Sequence, residues 1–224
     1  MKLLKEYGLS QEMLNKFSKF RDLLLEWNEK FNLTAITDKD EIEEKHFIDS
    51  LSLDKYVDLD DKTLLDVGSG AGFPGIPLAI AHPTCKVHLL ESNGKKVKFL
   101  NEMVKELELN NVTVINVRAE EYNKRESFNL VTARAVKDLN ILLEICFHFV
   151  KVGGQFIAYK SSNINNEIEN AKHAYKVLDI TETKQVEYFL PKSKDKRVLL
   201  MISKTKPTKM KYPRNYSEIV KAPL

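Results

Sequence analysis

The segment Leu64-Leu65-Asp66-Val67-Gly68-Ser69-Gly70-Ala71-Gly72-Phe73-Pro74-Gly75 constrains this chain most: an apolar run opens into four glycines, and residues 76–81 then read as a helix. A buried strand feeding a glycine-rich turn and a helix is the seed of a parallel α/β sheet. Glycine has no Cβ, so the backbone there can take φ > 0 and approach a bulky ligand closely. The helix start behind the turn offers unpaired N–H groups and the positive end of the helix dipole. The loop is therefore expected to floor a nucleotide-type cofactor cleft at the carboxyl end of the first strand.

As a pattern the loop admits two cofactors. Gly70-Ala71-Gly72-Phe73-Pro74-Gly75 satisfies G-x-G-x-x-G, and Glu91 stands 21 residues beyond Gly70, near where a dinucleotide-binding fold places its ribose-binding acid. Asp66-x-Gly68-x-Gly70-x-Gly72 also satisfies D-x-G-x-G-x-G, the first motif of many S-adenosylmethionine methyltransferases. The loop alone leaves a nicotinamide-dependent oxidoreductase in competition with a methyltransferase.

The order of the remaining elements favours the second. From Ser10 to Phe31 apolar residues recur at helical spacing (Met13, Leu14, Phe17, Phe20, Leu24, Trp27, Phe31), with Ser10 as N-cap, and a second helix is predicted over residues 40–56. This helical arm is expected to cover one edge of the sheet. Strands are predicted at 63–67, 86–91, 112–117, 128–133 and 155–160, with helices at 94–109, 139–150 and 163–176, and Gly153-Gly154 is expected to break the chain before strand five. Residues 183–190 and 197–204 then follow without a helix between them, a closing antiparallel hairpin that suits the methyltransferase variant rather than a plain dinucleotide domain. The predicted fold is α/β: a Rossmann-like, doubly wound, mostly parallel seven-stranded sheet with a terminal hairpin and an N-terminal helical extension. The expected divisions are residues 1–60 (extension), 61–206 (catalytic domain) and 207–224 (an irregular basic tail).

Net charge is +3, but residues 192–221 hold ten Lys/Arg against two acids, so the basic carboxyl-terminal portion sits beside an acidic body. That asymmetry suits a polyanionic partner, and an RNA-binding module without catalysis is the non-enzyme alternative. The amino terminus has no signal-like apolar stretch and no run approaches the roughly 18 apolar residues of a membrane span, so a cytoplasmic protein off the membrane is expected. The five histidines are scattered without metal-ligand spacing, so no metal is expected. Cys146 reads as a core residue, and Cys85 has only Lys86 as a thiolate-stabilising neighbour.

Candidate site residues follow from strand ends. Asp66 ends strand one and is expected to point into the cleft, with loop bracing as the competing reading. Glu91 ends strand two, where a carboxylate can accept both hydroxyls of a ribose. Ala119 and Glu120 follow strand three, where a backbone N–H and a short side chain can read an adenine edge, with capping of the next helix as the competing reading of Glu120. Arg134 ends strand four at the rim shared by cofactor and acceptor, where a guanidinium can hold a phosphate or stack on a base. No Asp/Asn-Pro-Pro-aromatic segment follows strand four and no cysteine lies there, which leaves acceptors with an available lone pair, such as the 7-nitrogen of guanine. These require positioning and no general base.

Together these residues resemble one family, the bacterial 16S ribosomal RNA guanine-7-methyltransferases (RsmG/GidB). The resemblance rests on Trp27-Asn28-Glu29-Lys30-Phe31-Asn32-Leu33-Thr34-Ala35-Ile36, His46-Phe47-Ile48-Asp49-Ser50, the Asp66–Pro77 loop, Arg118-Ala119-Glu120, Ala133-Arg134-Ala135-Val136 and Tyr212-Pro213-Arg214. It implies a class I methyltransferase fold, S-adenosylmethionine as donor with S-adenosylhomocysteine as product, and 16S rRNA, in the small subunit or an assembly intermediate, as acceptor. Implied cofactor contacts are Asp66, Gly68, Ser69, Gly70, Phe73, Glu91, Ala119, Glu120 and Arg134. RNA contacts are expected at His46, Lys95, Lys96, Arg134, Lys160, Arg197 and Arg214, and a monomer is expected. Where the family continues strand five as Tyr-Lys-Gly, this chain has Tyr159-Lys160-Ser161, and its tail is poorer in Gly and Pro.

Overall fold

Seven strands, β1 (Thr63–Val67), β2 (Lys86–Leu90), β3 (Val112–Ile115), β4 (Phe128–Arg134), β5 (Val150–Ser161), β6 (Glu182–Phe189) and β7 (Lys196–Ser203), form one sheet in the order β3-β2-β1-β4-β5-β7-β6. The structure is a computed structural model and describes residues 1–134, 137–161 and 164–224. Strands β3 through β5 are parallel, and β7 runs antiparallel to both β5 and β6. The strand order reverses between β1 and β4, and such a switch point opens a crevice at the strands' carboxyl ends.

Side-chain alternation along the strands builds two cores. Leu64, Leu89, Ile157, Leu199 and Met201 face one layer of helices, while Leu65, Val67, Leu90, Phe156, Val198, Leu200 and Ile202 face the other. The first layer holds α1 (Lys2–Lys5), α2 (Gln11–Phe31), α3 (Lys39–Ile42), α4 (Asp49–Leu51), α5 (Gly75–Ala81) and α6 (Gly94–Glu106). The second holds α7 (Leu139–Cys146), α8 (Asn165–Asn170), α9 (Lys172–Val177) and α10 (Tyr216–Lys221). Ser10 caps α2 as expected, its Oγ accepting from the Met13 N–H at 3.2 Å, and Phe17, Phe20 and Leu24 form its buried stripe. The arm lies over α5 and α6 on one face of the sheet rather than along an edge, because that stripe is matched to the helices already there.

Three expectations are corrected. The helix over 40–56 is not uniform: α3 passes into a π-helical stretch, Glu43–Ile48, before α4 and a 3₁₀ turn, Ser52–Lys55. The stretch buries two adjacent carboxylates that serve distant backbone: Glu43 accepts from the N–H of Lys2 (3.1 Å) and Leu4 (3.0 Å), and Glu44 from those of Lys192 and Ser193. Such partners lie far away in sequence, so local periodicity does not disclose the wider turn. Gly153-Gly154 does not break the chain before strand five: β5 runs through it, with Gly153 at φ +85° and a register shift against β4. A Cβ on Gly154 would stand 2.5 Å from the Asn129 carbonyl oxygen, so only glycine permits that approach.

The tail is also ordered. Tyr212, Ile219 and Leu224 are buried in the second core, Arg125 donates to the carbonyls of Thr208 (2.9 Å) and Tyr212, and Arg214 grips the buried Glu144 carboxylate.

Candidate active site

Two clefts lie side by side at the carboxyl ends of the parallel strands. The first encloses about 580 Å³ above β1, β2 and β3, between Gly68, Glu91, Ala119 and Glu120 on one side and Leu142, Ile145 and Tyr216 on the other. From the glycine loop Gly68 lines it, while Gly70 and Gly72 stand behind; the three take φ of 70°, 58° and 87°. At Gly72 a Cβ would also fall 2.4 Å from Ile76 Cδ1, so both conformation and packing require glycine. The Gly70 N–H donates to Glu91 Oε2 at 2.9 Å and the Asn93 N–H to Oε1 at 2.8 Å. Glu91 thus fastens the loop to β2 while keeping a further lone pair on each oxygen for a diol. Backbone N–H groups at the start of the 3₁₀ turn Ala119–Glu121 have no partners within that turn. Apolar walls for a flat base, acceptors for two hydroxyls and a positive-φ turn fit an adenosine-containing cofactor. Tyr216, brought from the tail, was not foreseeable as part of this wall, since nothing local in residues 207–224 points to it.

Several expected cofactor contacts face elsewhere. Asp66 is fully buried, with Oδ1 accepting from the Thr132 hydroxyl at 3.0 Å and Oδ2 from the Gly75 N–H at 3.1 Å. It braces β4 and the α5 start to the loop, and burial raises its pKa to about 6. Ser69 turns inward, its hydroxyl donating to the Asp66 carbonyl at 2.9 Å. The Phe73 ring is buried against Phe20 and stacks on His46, with centroids 4.4 Å apart. Both cysteines are buried, and burial pushes the Cys85 thiol up to about 12.

The second cleft, about 950 Å³, opens above β4, β5 and β7 and gathers His46, Arg134, Lys160 and Arg197, four of the expected RNA contacts. Its organising group is Asp49, singled out within a motif but not as a site residue. Arg134 Nη1 donates to Asp49 Oδ2 at 3.1 Å, and the Tyr188 hydroxyl donates to Oδ1 at 2.8 Å. Arg197 Nε lies 3.8 Å from Oδ1. Arg134 Nη2 sits 3.3 Å from His46 Nδ1, and its guanidinium lies 4.9 Å from the Phe73 ring centroid. Because arginine only donates, His46 Nδ1 accepts and Nε2–H donates to Thr34 Oγ1 at 2.8 Å. Burial, reinforced by Arg134, lowers the His46 pKa to about 3, so the ring is neutral and the cation beside it is Arg134 alone.

The other expected RNA contacts separate. Lys95 and Lys96 sit in the first turn of α6, whose N–H groups are capped by Asn93 Oδ1, and Lys96 Nζ faces the Gly70 turn rather than the second cleft. Arg214 lies outside the second cleft and is paired with Glu144, its Nε donating at 2.8 Å and its Nη2 at 2.6 Å. Ala135 and Val136 of the motif Ala133-Arg134-Ala135-Val136 lie outside the described residues. Among the described residues there is no cluster of His, Cys, Asp and Glu able to hold a metal and no helix long and apolar enough to cross a membrane.

The fold is that of the putative S-adenosyl-L-methionine-dependent methyltransferase of Methanococcus maripaludis, with TM-score 0.56 at 18% identity over 75% of this chain and 90% of that one. Sequence relatives are much nearer. Ribosomal RNA small subunit methyltransferase G of Acetivibrio thermocellus is 46% identical over 97% of this chain and 91% of its own length. The protein of that name from Staphylococcus aureus is 44% identical over 99% and 95%. The family model described as rRNA small subunit methyltransferase G matches residues 13–198. These likenesses decide against the nicotinamide reading of the loop: the chain belongs to the rRNA small subunit methyltransferase G family.

Proposed function

We propose that this chain transfers the methyl group of S-adenosylmethionine to the 7-nitrogen of a guanine in 16S rRNA, acting as a monomer in the cytoplasm and leaving S-adenosylhomocysteine. The observation that carries the reading is the adjacency of an adenosine-shaped cleft and a cationic cleft along one sheet edge, with the Lys160 ammonium of the second donating to the carbonyl of Lys137 on the wall of the first at 3.1 Å. Gly68, Glu91, Ala119 and Glu120 would hold the cofactor, which when bound supplies a methyl activated by sulfonium charge.

The 7-nitrogen of guanine carries a free lone pair, so no proton has to be removed first and the chain's own work is orientation. Arg134 uses three of its five N–H donors on Asp49, His46 and the Lys45 carbonyl, which leaves two for the base or a phosphate. Neutral His46 keeps a second positive charge away from a base that becomes cationic on methylation, and the Asp49 carboxylate offsets that charge.

Labelled S-adenosylmethionine, incubated with 16S rRNA from a strain lacking the modification, should yield 7-methylguanosine on nucleoside analysis. Label on another nucleoside overturns the acceptor assignment, and no label on naked RNA, assembly intermediates or small subunits overturns the enzyme reading. Comparing those three substrates identifies the form the protein recognises.

A further inference from the structure

Behind the second cleft lies a third, about 690 Å³, that no function described above uses. Tyr7, Tyr56, Tyr188 and Phe189 contribute to its lining, with Glu6 and Lys55 at its edge. Tyr56 is 37% exposed and Phe189 62%, so two of the chain's few exposed large apolar side chains line one cavity. An edge strand that displays an unpaired phenylalanine exposes a sticky surface, and one is retained where it meets a partner.

Three observations identify the partner's chemistry. Tyr188 is a wall common to this cavity and the acceptor cleft, while its hydroxyl is anchored to Asp49, so the two spaces adjoin at one side chain. The hairpin turn that follows Phe189 and the first residues of β7 carry Lys192, Lys194, Lys196 and Arg197 against Asp195. Lys192, Lys196 and Arg197 are paired with Asp40, Glu187 and Asp195, whereas among the described residues Lys194 and Lys55 have no acidic partner. Lys55 lines the cavity, and Lys194 lies on the turn beyond it, its N–H donating to the carbonyl of the lining residue Leu190 at 3.1 Å. Aromatic faces with ammonium groups within reach make the surface on which single-stranded nucleic acid is held: bases stack and phosphates pair.

Resting on the reading of the chain as an RNA methyltransferase, we propose that the Tyr56–Phe189 cavity seats an unpaired base next to the methylated guanine, stacked on Phe189, with Lys55 and Lys194 on the flanking phosphates. The arrangement would grip the strand on both sides of Tyr188, keeping the guanine unstacked at the acceptor cleft at the expense of its neighbour's stacking in the RNA.

The test is binding of deproteinised 16S rRNA lacking the modification, in the presence of S-adenosylmethionine. Phe189→Ala, an exposed position whose loss spares the core, should weaken the Kd by about 5- to 100-fold, as expected for one stacked base. Phe189→Trp should restore affinity, and its indole emission should be quenched on addition of RNA. Cofactor affinity should be unchanged in both, and Val152→Ala, exposed at the other end of the sheet, should bind RNA normally. Unaltered RNA binding by Phe189→Ala overturns the proposal, as does full affinity in Phe189→Leu, which keeps apolar area without a π-face. A defect seen only with assembled small subunits would assign the cavity to a ribosomal protein and equally overturn it. Methyl transfer by the unsubstituted chain is scored separately, so failure of the enzyme reading is distinguishable from failure of the base-binding cavity.

Discussion

Arg134 and Asp49, 85 residues apart in sequence, meet at 3.1 Å and join the end of β4 to the N-terminal arm. Both are largely buried, and the pair continues into Tyr188 on one side and His46 on the other. The second cleft therefore exists only once the arm, the central sheet and the terminal hairpin have docked.

Asp49→Ala should be costly to stability as well as to activity. Removing one member of a buried ion pair leaves Arg134 uncompensated, a loss of roughly 3–5 kcal/mol. Chemical denaturation should show it, and methyl transfer should fall by about 10²-fold as Arg134 loses its fixed position. Unchanged activity would separate the pair from catalysis.

Glu91→Gln should weaken S-adenosylmethionine binding by about 10- to 100-fold in calorimetry, the cost of a charge-assisted hydrogen bond of roughly 1.5–3 kcal/mol. RNA affinity measured without cofactor should stay as it was, because Glu91 faces the first cleft alone.

Arg214→Ala and Lys95→Ala/Lys96→Ala should part company. Loss of Arg214 strands the buried Glu144 and should lower Tm by about 4–15 °C, taking roughly 2–4 kcal/mol at this chain length, with no change in the salt dependence of RNA binding. If the two lysines meet phosphates, their removal should reduce the slope of log K against log salt by about two without affecting Tm. An unchanged slope removes them from the RNA surface.

Acid should destabilise the fold partly through His148. Burial, then Arg125 and Lys204, lowers its pKa from 6.5 to about 3, and Nδ1 has no partner. Between those values the unfolded chain binds a proton that the folded one refuses, so stability falls as pH drops through 6.5 toward 3. Asp66, raised from 3.8 to about 6, works the opposite way between those values, since there the folded state holds the extra proton. His148→Leu should therefore lower the slope of stability against pH between pH 6 and 5 by about one proton, ~1.4 kcal/mol per pH unit, leaving the opposing Asp66 contribution, under which stability rises on acidification.

The sheet was legible because each strand is a compact apolar run bounded by turn chemistry: the predicted 63–67 matches β1, and the other boundaries fall close to the observed strands, apart from the longer β5. The glycine loop and Glu91 were legible too, since a positive-φ turn and an acid at a strand end are local patterns. What the local pattern could not convey was direction. Asp66, Ser69 and Phe73 belong to the loop motif, yet their side chains turn to Thr132, to backbone and to His46, because burial leaves them better partners inside than in the cleft.

By itself, then, the order of residues determined the layered fold, the positive-φ glycine turn and the chemistry to expect, for these depend on contacts a few positions apart. Only the tertiary structure decided which cations remain available. It spent Arg214 on Glu144, fixed Arg134 against Asp49, set neutral His46 beside that pair and drew Tyr216 into the wall of the first cleft. The physical reason is that a charge is free or committed according to what is brought within hydrogen-bond distance, and those partners come from segments 40 to 90 positions away or more, whose meeting depends on the whole packed core.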